Sequence, residues 1–434
     1  MAEADQPQDR AIPQWLVVLA AIVAVVAGAL AVVDAWWDSD EGDTAKGGKV
    51  TAEASSPSPV TGGERAAPLS SEQVAVAPAI APHPHLVWLN DIAFPAMPDG
   101  RAILVDADAG TMRGMISGGY GHNGLLFPPD GRRIYNPETY YARGTRGKRT
   151  DVLTIYDARR LTVEGEIVLP PKRFMSMPLI GNAQMMGAGR FALIYNFTPS
   201  QSVSVADVEA GRFVTEFDTA GCSLIFPVAE REFFMLCADG GLLEVALGPD
   251  GRPVRQEARA KFFDADRDPL FEKPVWTGDR WLFVSFHNDV YEVGAGKNGR
   301  IAGRKAGWRI ADPRAGWRAG GIQPLAVHRP SGRLFTLMHE GGDGHHKDPG
   351  TQVRVHDLKT HAEIARWQLE RPATAIAVSE DAEDPLLYAV MIGDPTLEVY
   401  SARDGTLRRR IGEIGITVTL VQPLPVSTGK GDAR

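Results

Sequence analysis

Apolar residues between positions 85 and 425 fall in short alternating runs, broken by Gly, Pro, Asn and Asp, and none sustains the three-and-four spacing of an amphipathic helix. One phrase recurs: an alternating strand, an acidic or small residue, a turn, then another strand. It runs through Ile103-Leu104-Val105-Asp106, Leu153-Thr154-Ile155-Tyr156-Asp157, Val203-Ser204-Val205-Ala206-Asp207 and Leu242-Leu243-Glu244-Val245. It returns at Val290-Tyr291-Glu292-Val293, Val353-Arg354-Val355-His356-Asp357 and Leu397-Glu398-Val399-Tyr400. Seven units over this span come to about 49 residues each, the length of a four-stranded propeller blade. A blade cannot bury both faces alone, so neighbours stack and the ring closes. An array of β-sandwiches would place boundaries about every hundred residues, and none is visible. The pattern therefore predicts an all-β, seven-bladed β-propeller over residues 85–425, with a disordered tail at 426–434.

The N-terminus breaks this pattern. Residues 15–33 carry no charge, and Trp36 and Trp37 follow. As a helix this stretch is long enough to cross a bilayer core, with an aromatic belt at its end. Arg10 is the only basic residue before it, against Glu3, Asp5 and Asp9, which makes a poor signal-peptide start. Residues 1–37 thus read as a transmembrane anchor, the alternative being a signal sequence cleaved near Ala29-Leu30-Ala31. Either way the chain is exported, to the periplasm on the family reading below. Residues 38–84, with Gly47-Gly48, Ser55-Ser56-Pro57-Ser58-Pro59 and Gly62-Gly63, have the composition of a flexible linker.

Composition adds two constraints. The formal charge of −8 and pI near 5.7 argue against nucleic-acid binding, which calls for a basic surface. The chain has 2 cysteines, Cys222 and Cys237, separated by two apolar runs and the polar break Glu230-Arg231-Glu232. This reads as a hairpin with a cysteine at each outer end. The pair is either a disulfide or two buried thiols, and an oxidising compartment favours the bridge.

Four motifs resemble the heavy (large) subunit of the tryptophan tryptophylquinone-dependent amine dehydrogenases, the methylamine and aromatic amine enzymes. They are Thr139-Tyr140-Tyr141-Ala142-Arg143-Gly144-Thr145-Arg146-Gly147-Lys148-Arg149-Thr150-Asp151 with Leu169-Pro170-Pro171-Lys172-Arg173, and the cysteine stretch through Cys237-Ala238-Asp239-Gly240-Gly241. The others are Gly316-Trp317-Arg318-Ala319-Gly320-Gly321 and Met338-His339-Glu340 with His345-His346-Lys347. The likeness is nearer the aromatic amine branch. It implies one intrachain disulfide and a periplasmic assembly of two heavy and two light subunits. It also implies oxidative deamination of a primary amine to aldehyde and ammonia. The quinone then belongs to the light (small) subunit, no catalytic residue or cofactor to this chain, and the electrons go to a blue copper protein. Phe94, in Asn90-Asp91-Ile92-Ala93-Phe94-Pro95, matches the position that lines the substrate channel in that family; the plain alternative is an ordinary loop aromatic.

Other candidates carry weaker signals. The 9 tryptophans are expected to fill blades. His339, His345 and His346 have the composition of a metal cluster but no regular ligand spacing, so a solvated loop is expected and no metal site. Arg143, Arg146, Lys148 and Arg149 form a basic knot facing either a partner or solvent. A membrane-tethered propeller that only binds, without catalysis, is the competing function.

Overall fold

Strand-forming runs between turn residues make short antiparallel strands, and the computed structural model assembles them into seven sheets around a common axis. It describes residues 78–296, 300–342 and 344–425. The anchor or signal at 15–33, most of the linker and the tail at 426–434 lie outside the described residues. Ile80, at the described end of the linker, is buried, and its N–H donates to the Arg159 carbonyl.

The fourth blade shows the plan: Cys222–Ala229 lies innermost, followed outward by Glu232–Cys237, Leu242–Leu247 and Pro253–Arg259. The first blade closes the ring. Its innermost strand is the last among the described residues, Val418–Pro423, paired antiparallel with Leu86–Asp91. The second blade has three strands, and a bridge between Leu126 and Tyr135 takes the innermost place. In the sixth, Trp317–Ala319 adds a fifth strand against Arg333–Glu340.

Each recurring phrase is the third strand of its blade counted from the axis. The hairpin after it uses one device repeatedly. Asp106 accepts hydrogen bonds from the N–H of Asp108 and Ala109, Asp157 from Arg159 and Arg160, and Asp357 from Lys359 and Thr360. Such side-chain bonds pre-form the turn. The turn's last residue takes a left-handed conformation, adopted by Gly110 at φ 70° and also by Leu161 and His361.

Neighbouring blades bury their facing residues against each other. Between the fourth and fifth, Phe226 lies 5.3 Å from both Trp281 and Phe283, and the Trp281 indole N–H donates to the Pro227 carbonyl at 2.6 Å. The described tryptophans serve this packing: Trp88 and Trp281 are wholly buried, and Trp308 stacks on His361 at 4.7 Å.

Strand alternation sorts the loops. Loops joining second to third strands, and connections leading to the next blade, emerge on one face, called upper below. First-to-second and third-to-fourth hairpins emerge on the lower face.

Candidate functional site

The sequence-selected candidates share the upper face. Phe94 lies in the second-to-third loop of the first blade, Arg143, Arg146 and Lys148 in that of the second, and His345 and His346 in that of the sixth. The disulfide joins Cys222 to Cys237, opposite each other in register at the upper end of the fourth blade.

Phe94 opens a six-residue 3-10 segment, Phe94–Asp99, containing Pro95 and Pro98. Ala93 before it is left-handed, at φ 53° and ψ 55°, which turns the chain sharply after the buried strand Leu86–Asp91. Phe94 is left 41% exposed. The loop is held by Asp91, which is buried. The Asp91 carboxylate accepts from the Ala93 N–H at 2.8 Å, the Thr417 hydroxyl at 2.5 Å and the N–H groups of Ile416 and Thr417 at 3.1 and 3.2 Å. The Phe94 N–H donates to the Thr417 hydroxyl at 3.1 Å. Gly415 permits this approach, since a Cβ there would stand 2.6 Å from Asp91 Oδ2.

Beside this loop is a buried charge network built from the Thr139–Arg173 motif. Arg149 holds Asp151 through two hydrogen bonds of 2.8 and 2.7 Å, and Asp151 also accepts from the Thr139 hydroxyl and the Arg173 N–H. The Arg173 guanidinium donates to the carbonyls of Tyr120 and Gly121 at 2.9 and 3.1 Å. Burial pushes Arg173 down to about 10, partly offset by Asp151, so it stays charged at neutral pH. Gly121 in turn donates to the Met97 carbonyl of the Phe94 segment. The basic knot is thus split: Arg143, Arg146 and Lys148 are exposed, while Arg149 turns inward to Asp151.

The three histidines of the sixth blade do not converge. His345 is exposed and pairs with Asp348 at 2.8 Å. His339 is buried. His346 stacks on Phe286 at 4.4 Å, and burial with neighbouring Lys273 and Lys347 lowers it to about 4. The solvated-loop expectation therefore holds for His345 alone.

Three buried titratable groups escaped the sequence reading. Lys273 is buried and donates to the Gly321 carbonyl at 2.7 Å; burial lowers it to about 8. It lines a cavity of about 140 Å³ along the axis, with Ile180, Trp276, Ile322, Gln323 and Leu420, reaching toward the Arg329–Glu380 ion pair. His122 is wholly buried, its Nε2 2.8 Å from Asn90 Oδ1, and burial first and Arg173 second lower it to about 3. Glu138 is buried among hydroxyls of Tyr140, Tyr156 and Thr154, and burial raises its carboxyl despite those bonds. Nothing in sequence spacing marks Lys273 or His122.

Among the sequence-selected candidates, the upper face therefore carries the exposed aromatic Phe94 and the exposed cations Arg143, Arg146 and Lys148, on loops fixed by buried charge. These are features of recognition. Residues 85–424 match the family described as methylamine dehydrogenase heavy chain. The heavy chain of Methylorubrum extorquens is 29% identical over 329 residues, covering 72% of this chain and 76% of its own. That of Paracoccus versutus is 28% identical over 366 residues, covering 80% of each. Among solved structures, a dihydro-heme d1 dehydrogenase superposes with a TM-score of 0.52 at 16% identity, covering 81% of this chain and 78% of its own; that likeness concerns the fold. With a match running from the first blade's opening strand through the closing strand, this chain belongs to the methylamine dehydrogenase heavy chain family.

Proposed function

We propose that this chain is the large subunit of a periplasmic amine dehydrogenase that converts primary amines to aldehyde and ammonia. The observation that carries the reading is the family match over residues 85–424, the whole propeller. In this reading the small subunit docks on the upper face and brings tryptophan tryptophylquinone, which supplies the redox chemistry. Phe94 walls the amine channel, packing the apolar part of the substrate and excluding water. Its exposure on a loop pinned by Asp91 supports that role. Electrons leave to a blue copper protein. Residues 15–33 tether the assembly to the inner membrane, and the linker at residues 38–84 joins this anchor to the propeller.

The test is isolation of the complete chain from its native membranes. A small cysteine-rich subunit is expected in equal amount, with a visible quinone absorption and amine-dependent dye reduction. A chain that emerges alone, with no dye reduction by membranes on adding primary amines, refutes the proposal.

A further inference from the structure

The lower face of the first blade holds a cluster unrelated to the family's upper-face features. Residues 82–85 read Pro-His-Pro-His. The two prolines fix their own φ and restrict the residue before each, so the carrier of both imidazoles is stiff. It is stapled to the adjacent turn, because the Ala107 N–H donates to the His85 carbonyl at 3.1 Å. That turn is Asp106-Ala107-Asp108, the third-to-fourth hairpin of the blade.

In the second, third and sixth blades the aspartate of this hairpin only shapes the turn or pairs with an arginine, as Asp207 does with Arg190. Here Asp106 Oδ1 shapes the turn while Oδ2 faces His83 Nε2 at 3.3 Å. His83 Nδ1 lies 3.9 Å from Asp108 Oδ2. Both separations exceed a good hydrogen bond. One is already close to the roughly 3.4 Å ligand-to-ligand edge of a tetrahedral ion with bonds near 2.0–2.1 Å. One donor atom from each of the three side chains falls within 4.8 Å of the others. Asp108 is more than half exposed.

The surroundings form an outer shell. His85 Nδ1 contacts both Asp108 oxygens at 2.8 Å, while its Nε2 faces the Asp384 carbonyl at 3.0 Å and Asp381 Oδ2 at 3.3 Å. His85 is thus committed at both nitrogens and orients Asp108, as outer-shell groups do for metal-ligating carboxylates. Tyr388, wholly buried in the seventh blade, lies in the field of Asp108, Asp106 and Asp381, with Ser379 beside its hydroxyl.

We propose that His83, Asp106 and Asp108 form a binding site for a divalent transition ion of the zinc type, with solvent completing the coordination. One imidazole and two carboxylates suit zinc and its neighbours better than calcium, which takes six to eight oxygens. The site clamps the segment leading into the propeller onto the blade that closes the ring.

The test uses the complete chain, untagged and stripped with chelator, titrated with Zn²⁺ by calorimetry and with Co²⁺ by visible absorption. One equivalent is expected to bind, with at least a tenfold loss of affinity in both His83→Ala and Asp108→Asn, and no change in His345→Ala on the upper face. Thermal scans without metal check that the variants fold as the parent does. Zinc should raise the melting temperature of the parent and not of His83→Ala. Absence of stoichiometric binding at 100 µM free Zn²⁺, or equal affinity in parent and His83→Ala, overturns the proposal.

Discussion

Replacing both Cys222 and Cys237 with Ala should lower the melting temperature by about 4 °C and leave the propeller intact. The bridge closes a loop with a sequence separation of 15. A loop of that length restricts the unfolded chain by about 3 kcal/mol in the chain-entropy model. A body of about 340 residues unfolds with an entropy near 0.7 kcal/mol/K, at about 2.1 cal/mol/K per residue, so the two figures give a shift of roughly 4 °C. The fold should survive because local hydrogen bonds hold the register without the sulfurs. The Cys222 N–H donates to the Thr219 carbonyl at 2.9 Å, the Ala238 N–H to Gly221 at 2.9 Å and the Cys237 N–H to Gly241 at 3.1 Å. Calorimetric scans of the parent, the double variant and the reduced parent measure the effect, with the far-ultraviolet spectrum as the check on fold. The reduced parent should fall near the variant. A shift below about 1 °C would refute the entropic account, and loss of the β-spectrum would show that the bridge organises the blade rather than restrains the unfolded chain.

Three further outcomes follow from the upper face. His122 is held neutral when folded, at about 3, whereas an unfolded histidine titrates near 6.5. Between those values the unfolded chain binds the extra proton, so stability is full above about pH 6.5 and falls as pH drops toward 3. His122→Gln should flatten this slope, read as urea midpoints at pH 7, 5.5 and 4.5, and an unchanged slope refutes the assignment. For the Phe94 loop, Asp91→Ala orphans four donors and should cost about 3 kcal/mol, with new proteolytic cuts between residues 92 and 99. Phe94→Ala should change stability by no more than about 0.5 kcal/mol while reducing amine turnover in the assembled enzyme, and unchanged turnover removes Phe94 from the channel.

The propeller was legible because its period is carried by the most regular strand of each blade. The third strands, such as Val203-Ser204-Val205-Ala206-Asp207, are largely buried, and those of the first, second, third and sixth blades end in an aspartate turn, so they repeat clearly. Innermost strands are less visible. Val275–Trp276 is cut to two residues after Pro274, and Leu126 is a single bridge before Pro128 and Pro129, because proline removes ladder donors. Parts of the site carried an unread signal. His339 shares the two-residue alternation of Phe335 and Leu337, both buried, and Arg149 shares that of Asp151. Alternation alone places both away from solvent. Lys273 has no such signal, since its partner, the Gly321 carbonyl, is 48 residues away and fixed only by ring closure.

The buried charges of the upper face share a placement that gives them a common consequence. Asp91 ties the first blade to the connection arriving from the seventh, through Ile416 and Thr417. Arg173, between the second and third blades, grips the connection between the first and second at Tyr120 and Gly121. Lys273, leading into the fifth blade, grips the connection into the sixth at Gly321. Each therefore locks one loop to its neighbour. Loops free to move separately would lose conformational freedom when a partner docks, at about 0.5–1.5 kcal/mol for each immobilised side chain. Loops cross-linked by buried charge have lost much of that freedom on folding. If the small subunit docks on this face as proposed, the cost of burying Lys273 and Arg173 is offset at that binding step.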